Sequence, residues 1–389
     1  MRMNKNKRNP GTLAALTGAA LALPAIAQLA QASEMSTKTE LGYRYSDYQE
    51  DDVEAGSVLV GTTDRYAIDT HQFKLVSPIG ERTALTVDAM YETMTGASAM
   101  GVVENPQGDS MLIMTGASIK EERTDLSAEL RRFDDQGNKA ITLGYSTEDD
   151  YEALNGSLDM ERKSDDGVTT WSGGLGFSYD ELEPVQEDGI NRITAEDRWF
   201  INGYIARAKV HSPVWQSQLG VYLGLYDGYL DDPYRSRDIR PDSRQQIAMT
   251  ARSRYFLTAV KAALHFDYRY YHDDWGIEAH TFEFAWYQSL TDAFRISPRI
   301  RYYSQSQADF YVDADSGTRQ GEQSSDYRLS PYGAIAYGVG LGYHQPSYSL
   351  TFYAEQYDSD ADYALKSVSK ANPFLVDYTL MSVGLDYRF

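Results

Sequence analysis

Apolar and polar residues alternate along almost the whole chain, from about residue 36 to the C-terminus. Within residues 215–226, for example, Leu219 and Leu223 alternate with Gln218 and Tyr222. A period of two is that of a β-strand whose two faces meet different surroundings. Because no convincing amphipathic helix follows the N-terminal segment, the pattern predicts an all-β chain.

The connections between the predicted strands fall into two classes that alternate. Short polar or Gly/Pro turns lie at residues 78–80, 134–138, 165–167, 212–213, 258–261, 291–292 and 345–347. The connections of the other class, most of them longer, are residues 49–65, 95–118, 148–151, 183–197, 227–243, 273–276, 304–326 and 359–373. Counting between them gives about 16 strands of roughly 10–14 residues each.

These features predict an antiparallel transmembrane β-barrel of about 16 strands, with short periplasmic turns and longer extracellular loops. In a bilayer every backbone N–H and C=O group needs a partner within the protein, so a sheet has to close on itself. A soluble β-sandwich would have shorter strands and would not sort its loops into two classes. Because no Pro/Ser-rich linker divides the chain, we expect residues 33–389 to form one barrel domain.

The aromatic content is high, with 31 Tyr, 13 Phe and 5 Trp. Tyr and Trp prefer the interface of membrane and water, and transmembrane barrels carry aromatic girdles at both rims. Tyrosines cluster near predicted strand ends, at Tyr43, Tyr45, Tyr48, Tyr268, Tyr270, Tyr271, Tyr302 and Tyr303. We interpret them as girdle residues; the alternative is that Tyr is simply a good strand former.

Charge and cysteine content narrow the range of functions. The 36 Lys and Arg against 57 Asp and Glu give a net charge of −21, which argues against a nucleic-acid partner because a phosphate-binding surface needs cations. The absence of cysteine excludes disulfides and thiolate metal sites. The mean hydropathy of −0.51 is typical of soluble proteins, but a barrel is apolar only at every second position and so has a low average too.

The N-terminus has the layout of a targeting segment. An apolar, small-residue stretch over residues 11–26 follows four cations, Arg2, Lys5, Lys7 and Arg8. This layout predicts a cleavable signal peptide over residues 1–32, cut after Ala27 or Ala32. The alternative is a short anchor helix, although the stretch is shorter than the ~20 residues that a span needs. We therefore expect export to the outer membrane of a Gram-negative cell.

The last strand places Val383, Leu385, Tyr387 and Phe389 on one face and ends in an aromatic residue. It resembles the terminal assembly signal of Gram-negative outer-membrane β-barrel proteins. The resemblance implies recognition by the barrel assembly machinery, and contact of the finished barrel with outer-membrane lipid and lipopolysaccharide.

Residues 116–125, GASIKEERTD, and the overall layout resemble a proteobacterial family of outer-membrane barrels known only as a domain of unknown function. The resemblance spans the mature chain. Members of that family often accompany thioredoxin-like and flavin-transferase proteins, so the resemblance implies an envelope protein partner and a link to redox biology. None of these residues shows redox chemistry.

Charged residues of the middle strands fall on the lumen side of the alternation. They are Arg252, Arg254, His265, Arg269, Glu283, Arg299 and Arg301, and Arg207 and Lys209 also read as inward. If these cations line one wall opposite acidic loops, they create a transverse field that orders dipolar or anionic solutes. The alternative is scattered ion pairing in a filled interior.

One catalytic arrangement can be constructed from these residues. Pairing the strands around residues 273–276 by symmetry puts His265 opposite Glu283, a pair that could serve as general acid and base. The alternative is a water-facing charge ladder, which we favour because no G-x-S-x-G or H-E-x-x-H motif occurs. We therefore expect no enzymatic activity and no cofactor.

Two kinds of loop stand out. Residues 95–118 contain seven large apolar side chains, Met100, Val102, Val103, Met111, Leu112, Ile113 and Met114. Exposed apolar loops are costly, so we expect this one to pack on something, and the lumen is the nearest candidate. The weak Ca²⁺ candidates are Asp313, Asp315, Asp358, Asp360 and Asp362. The group that begins at Asp358 starts like an EF-hand loop but has Tyr363 where an EF-hand needs glycine. Solvated loops are therefore the favoured interpretation.

Together the patterns predict a porin-like outer-membrane channel for small hydrophilic solutes, with a partly occluded lumen. The alternative is a non-conducting barrel that serves as a binding or scaffold component of an envelope complex, with a link to redox biology.

Overall fold

The computed structural model describes residues 35–116, 119–186, 192–235, 237–315 and 321–389. Sixteen strands in these ranges form one closed antiparallel barrel, which confirms the predicted fold. The predicted signal peptide, residues 1–32, lies outside the described residues, and its existence stays a prediction. No helix in the described ranges is long and apolar enough to cross a membrane.

The barrel strands follow the chain in order. They are β1 (Glu40–Glu50), β3 (Ala67–Gly80), β4 (Thr83–Gly96), β7 (Ile119–Asp134), β8 (Gly137–Thr147), β9 (Tyr151–Lys163), β10 (Thr169–Leu182), β11 (Glu196–Ser212), β12 (Trp215–Gly228), β13 (Ser243–Leu257), β14 (Ala262–Asp273), β15 (Glu278–Ser289), β16 (Phe294–Gln305), β17 (Tyr332–His344), β18 (Tyr348–Asp360) and β19 (Tyr378–Arg388). Three short strands, β2 (Val58–Val60), β5 (Ala99–Glu104) and β6 (Ser110–Met114), form a separate small sheet in the order β2-β6-β5. Single 3₁₀ turns occur at Ala55–Ser57, Tyr327–Leu329 and Ala361–Tyr363.

Each barrel strand pairs with its neighbours along the chain, and β1 pairs with β19 to close the ring. Short turns join the strands at the rim that also holds Thr39 and Phe389, whose backbones bond each other. The longer connections and the small sheet lie at the opposite rim. This is the asymmetry of outer-membrane barrels, in which the short turns are periplasmic and the long loops extracellular.

The outer face of the barrel is apolar. Leu143, Leu175 and Leu219 are 63%, 65% and 64% exposed, and each alternates with residues that point inward. A soluble protein would leave this continuous apolar band in water, whereas a barrel places it against lipid.

The tyrosines near strand ends divide between the two faces, so the girdle interpretation is wrong for part of them. Tyr43 shares the outer face with the exposed Leu41 and Phe73. Tyr48 faces the lumen and packs on Tyr378, with ring centroids 4.8 Å apart. Position near a strand end does not decide the face, because successive residues point to opposite sides.

Tyr45, Tyr268, Tyr270 and Tyr302 share the outer face, whereas Tyr271 and Tyr303 share the lumen face with Tyr48.

Candidate functional site

The inner face of β13–β16 carries the charged residues that the alternation predicts there. Arg252, Arg254, His265, Arg269, Glu283, Arg299 and Arg301 all occupy inward positions. Their strand neighbours Met249, Phe266 and Ile300 are 48%, 46% and 50% exposed on the outer face. We call the inner face of β13–β16, with its continuation on β17–β18, the basic wall.

Arg254 and Asp267 form a bidentate salt bridge on this wall. Arg254 Nη2 donates to Asp267 Oδ2 at 2.8 Å, and Nη1 donates to Oδ1. Asp267 lies directly across from Arg252 on β13 and from Glu283 on β15. Arg252 in turn donates to the Gln218 side chain at 3.4 Å. Such pairing holds the guanidinium groups in fixed positions along the wall.

The His265–Glu283 pair predicted from turn symmetry is wrong. The β14–β15 register places His265 opposite Ala285, and Glu283 opposite Asp267. The His265 ring packs against Tyr287, with centroids 4.3 Å apart. Because the two side chains are not paired across the strands, the only acid–base pair constructed from the sequence is not formed.

Arg207 and Lys209 were expected to face inward and do not. They share the outer face with Ile205, and Arg207 lies over the ring of Trp171 at 5.6 Å. A register shift near Ser212 alters the alternation at this strand end, so counting back from the turn gives the wrong face.

The basic wall is organised around Glu355 of β18, which sequence reasoning missed. Its side chain is 3% exposed and accepts from Arg299 Nη2 at 2.6 Å. Arg301 Nη2 lies 3.4 Å from the same carboxylate, and the Tyr353 and Tyr378 hydroxyls donate to it at 2.5 and 3.1 Å. Glu283 also lies 3.9 Å from Arg299. Over the whole basic wall, the five arginines named above oppose three carboxylates, Asp267, Glu283 and Glu355, which leaves an excess of positive charge.

Tyrosines line the lumen beside this clamp. Tyr357 and Tyr378 stack with centroids 4.6 Å apart and an interplanar angle of 11°. Tyr303 and Tyr332 lie 5.7 Å apart on the adjacent strands. Their rings supply rigid apolar faces with hydroxyl groups at the edge, a surface that suits polar solutes with an apolar side.

The opposite wall is acidic. In the closed ring, β7 stands eight strands away from β15, so β7–β10 face the basic wall. Inward carboxylates on the acidic wall are Glu92 of the adjoining β4, and Glu121, Asp125, Glu129, Asp159, Glu161 and Asp180. Arg123 pairs with Asp125 at 2.6 Å, and Arg131 with Glu129 at 2.8 Å. Carboxylates outnumber cations on this side, whereas the sequence pattern predicts acidic groups in the loops opposite the arginines.

The predicted packing of residues 95–118 is observed, but on other loops. Val102, Leu112 and Met114 are buried in one cluster with Val53, which follows β1, and Phe374, which follows β18. Ala314 and Tyr327 of the β16–β17 connection pack against the same cluster. We call the described residues of the connections after β1, β4, β12, β16 and β18 the loop cap.

Buried ion pairs join parts of the loop cap that start far apart on the ring. Asp326, in the β16–β17 connection, is fully buried and accepts from Arg240 of the β12–β13 connection at 2.8 Å. Arg328 donates to the same carboxylate at 2.7 Å and to Asp232 at 2.8 Å. Burial would raise the pKa of the Asp326 carboxyl, but Arg328 and Arg240 overcome this and hold that pKa well below its usual range.

Further contacts cross the rim. Arg235 donates to the backbone oxygen of Ala99 at 3.2 Å and to Ser325 Oγ at 2.8 Å. Ile239 and Gln323 exchange two backbone hydrogen bonds of 2.9 Å in an isolated antiparallel bridge. These contacts join the β12–β13 connection to the β4–β7 and β16–β17 connections. Because those connections start on separate strands, the contacts tie the loops together above the barrel.

The Ca²⁺ candidates do not converge. Asp315 accepts from the Val102 backbone at 3.0 Å, and Asp360 accepts from the Asp362 backbone at 2.7 Å. Asp358 accepts from the Tyr337 hydroxyl at 2.7 Å, while Asp313 contributes its backbone oxygen to Ser110. Among the residues that the structure describes, no three His, Asp or Glu side chains form a group able to hold a metal ion.

The residues of the terminal strand lie where a membrane-facing signal would place them. Val383, Leu385 and Tyr387 are 48%, 43% and 48% exposed on the outer face, and Phe389 is 60% exposed. The strand that carries them, β19, is one of the two that close the barrel.

Comparison with known proteins agrees with this architecture. The bacterial polysaccharide outer membrane secretin matches with 8% identity and a TM-score of 0.52, over 92% of this chain and 100% of that one. OccK1 (OpdK) of Pseudomonas aeruginosa matches with 12% identity and a TM-score of 0.39, over 90% and 98% of the two chains. The NalP translocator domain of Neisseria meningitidis matches with 11% identity and a TM-score of 0.37, over 97% and 96%. The first likeness shows the fold of an outer-membrane barrel and no more.

A search of curated proteins finds no significant sequence match. The family model described as "Protein of unknown function (DUF3570)" matches residues 13–372, which is most of the chain. The chain is therefore a member of the DUF3570 family, built as a 16-stranded barrel of the outer-membrane type.

Proposed function

We propose that this barrel is an outer-membrane channel for small hydrophilic solutes, closed at its outer mouth by the loop cap. The observation that carries the proposal is the opposite charge of the two lumen walls. A merely structural interior would balance its charges locally. Beyond its local ion pairs, this lumen keeps a surplus of arginines near Arg252 and Arg269 and a surplus of carboxylates near Glu92 and Asp159 on the opposite wall.

Such a separation has a direct physical consequence. Opposed walls of unlike charge create a field across the lumen, and the low-dielectric barrel wall concentrates it. A dipolar or charged solute that aligns with that field recovers part of the hydration energy that it loses on entry, whereas a neutral apolar solute gains nothing from the field. The proposed substrates are therefore small polar or zwitterionic molecules, with the tyrosines offering contact surface for their apolar parts.

The loop cap supports a closed resting state. Arg235 lies in the connection between β12 and β13, yet it contacts Ala99 in the connection between β4 and β7. These connections begin on well-separated arcs of the ring, so the loops that meet here must reach across the mouth. Passage of solute would then require the cap to open.

Assembly and location form part of the same proposal. A chain exported by the signal peptide predicted at residues 1–32 would reach the periplasm. There the outward row that ends at Tyr387 and Phe389 would be available to the barrel assembly machinery. The finished barrel would contact lipopolysaccharide at its loop rim and phospholipid at its turn rim.

Single-channel recording of the reconstituted mature barrel tests the channel proposal. We expect rare openings in the wild type and frequent openings after deletion of residues 100–114, which removes the buried centre of the loop cap. Arg299→Gln combined with Arg301→Gln should then shift the ion selectivity of the open lumen toward cations. No openings above background in the deletion variant would contradict the proposal and favour the non-conducting scaffold, with or without its redox link.

A further inference from the structure

The outer face of the barrel carries one concentrated group of cations at the turn rim. They are Arg132 of β7, Lys139 of β8, Arg162 of β9, and Arg207 and Lys209 of β11. We call these five residues the basic arc. At corresponding positions the strands from β12 onward carry rings instead, Trp215, Tyr255, Phe294, Tyr343 and Tyr387.

Strand register makes the basic arc continuous. Arg132 pairs directly with Lys139, and Trp171 of β10 stands between Arg162 and Arg207. Arg207 lies over the Trp171 ring at 5.6 Å. The arc thus spans five neighbouring strands with an indole at its centre.

The charges of the arc are mostly unbalanced within the protein. Arg162 pairs with Asp134 at 2.6 Å. Lys209 interacts electrostatically with Asp166 of the neighbouring turn without a direct salt bridge. Arg132, Lys139 and Arg207 form no salt bridge with any residue that the structure describes. Like charges directly opposite each other, as at Arg132 and Lys139, are destabilising unless an anion lies between them. In a chain of net charge −21, such a grouping calls for an external anion.

The depth of the arc identifies that anion. Each of the four strands that carry a cation has an exposed apolar residue two positions further from the turn rim than the nearest cation, namely Leu130, Ile141, Met160 and Ile205. Two residues correspond to about 7 Å along a strand. The cations therefore stand at the edge of the apolar band, at the level of the headgroups, where an indole such as Trp171 is also favoured.

We propose that the basic arc is a binding site for anionic phospholipid of the periplasmic leaflet, with its acyl chains on the adjacent apolar band. The phosphate diester lies between Arg207 and Lys209, and a second one lies between Arg132 and Lys139. A guanidinium binds phosphate oxygens through two parallel N–H donors, which suits Arg207 and Arg132. An acidic periplasmic protein is the competing occupant that the experiment below separates from lipid.

The test measures lipid retained by the intact mature barrel. The protein is equilibrated in detergent with equal amounts of phosphatidylglycerol and phosphatidylcholine, and the bound lipids are counted by native mass spectrometry. Each cation near an anionic surface contributes roughly a fivefold preference, so we expect Arg207→Gln with Lys209→Gln to reduce phosphatidylglycerol enrichment by about 25-fold. Added salt should reduce the wild-type enrichment as well.

A matched control removes the same charge elsewhere. Lys120→Gln with Lys366→Gln changes two exposed lysines at the loop rim, whose side chains are 59% and 76% exposed. It should keep the wild-type lipid ratio, and a heat-modifiability gel verifies that every variant is folded. Arg132→Gln with Lys139→Gln supplies a second, independent loss of enrichment.

Three results would overturn the proposal. The first is a wild-type barrel with no preference for phosphatidylglycerol, which would point to a protein occupant. The second is unchanged enrichment in both arc variants. The third is an equal loss in the loop-rim control, which would make the preference an effect of overall charge.

Discussion

The buried carboxylate of Asp326 joins two extracellular connections, and we expect Asp326→Asn to loosen the loop cap. Asp326 accepts from Arg240 Nη2 at 2.8 Å across the two connections. It also accepts from Arg328 Nε at 2.7 Å and from the Arg328 backbone at 3.0 Å, both within its own connection. Asn keeps the size of the side chain but removes its charge.

The size of the effect follows from which contacts cross between connections. Removing one partner of a buried ion pair costs about 3–5 kcal/mol. Of the contacts that Asp326 itself makes here, the one with Arg240 crosses between the two connections, and a charged hydrogen bond of this kind contributes roughly 1.5–3 kcal/mol. We take about 2 kcal/mol for the shift in the closed-to-open equilibrium of the loop cap, which is about 30-fold in population.

Limited proteolysis reports this population. Trypsin cleavage after Arg328 needs an open cap, because the Arg328 side chain is only 23% exposed and the following Leu329 only 3% exposed in the closed one. When opening is fast compared with cleavage, the cleavage rate follows the open fraction. We therefore expect trypsin to cut after Arg328 about 30 times faster in Asp326→Asn, with the barrel strands left intact.

Asp135→Asn is the matched control, since it removes an exposed pair with Arg82 at the turn rim that contributes little. The reasoning would be refuted if Asp326→Asn and wild type were cut after Arg328 at the same rate. It would also be refuted if the Asp135→Asn control accelerated that cleavage as much.

Three further predictions follow from single positions. Burial raises the pKa of the Glu148 carboxyl to about 8 from 4.5. The folded state thus keeps a proton that the unfolded chain releases, and wild-type stability falls as pH rises from 4.5 to 8. Glu148→Gln should therefore leave unfolding in urea nearly unchanged at pH 4.5 and raise stability at pH 8.5 by up to roughly 5 kcal/mol; equal differences at both pH values would contradict this. Gly96 has a φ of +137°, and a Cβ there would clash with the Arg65 carbonyl oxygen. Gly96→Ala should therefore lower stability in thermal unfolding by roughly 1–3 kcal/mol. Gly56→Ala is the control, because a Cβ at Gly56 would meet open space and should not lower stability. Removal of Phe389 should slow assembly in cells several-fold while leaving the melting temperature of refolded barrel unchanged, and normal assembly would count against the terminal signal.

The barrel itself could be predicted from the sequence, because its cause is local. Every strand shows its two faces as a period of two, and the turns show the alternation of rims without any knowledge of contacts. Closure then follows from the need to pair every backbone group in lipid. The same patterns also placed residues such as Arg254 and Arg301 on the lumen face.

The register of β14–β15 could not be predicted, because distant loops determine its turn. Symmetry around residues 273–276 is off by one position; the true turn centres on Trp275, with the Asp273 backbone bonded to Ile277. Trp275 is buried against Phe310, and a Cβ on Gly276 would meet Asp309. These partners come from the β16–β17 connection, which no local pattern links to the hairpin.

The acidic wall was missed for a related reason. Glu121, Asp159 and Asp180 lie on separate strands, and each has the appearance of an isolated lumen residue in the sequence. Only closure of the ring, which sets β7 across from β15, shows that they oppose the arginines. The clamp at Glu355 likewise depends on contacts among β16, β18 and β19.

The central claim is that the loop cap closes a conducting barrel, and a reversible bond across the cap tests it most directly. Ile239 and Gln323 form a backbone bridge between two connections, and the natural chain has no cysteine. Paired strand residues of this kind lie within disulfide reach. In single-channel recordings of the Ile239→Cys, Gln323→Cys barrel, we predict no openings under oxidising conditions, where the disulfide holds the cap closed. We predict openings when a reductant breaks that disulfide. Equal openings in both states, or none in either state, would contradict the account.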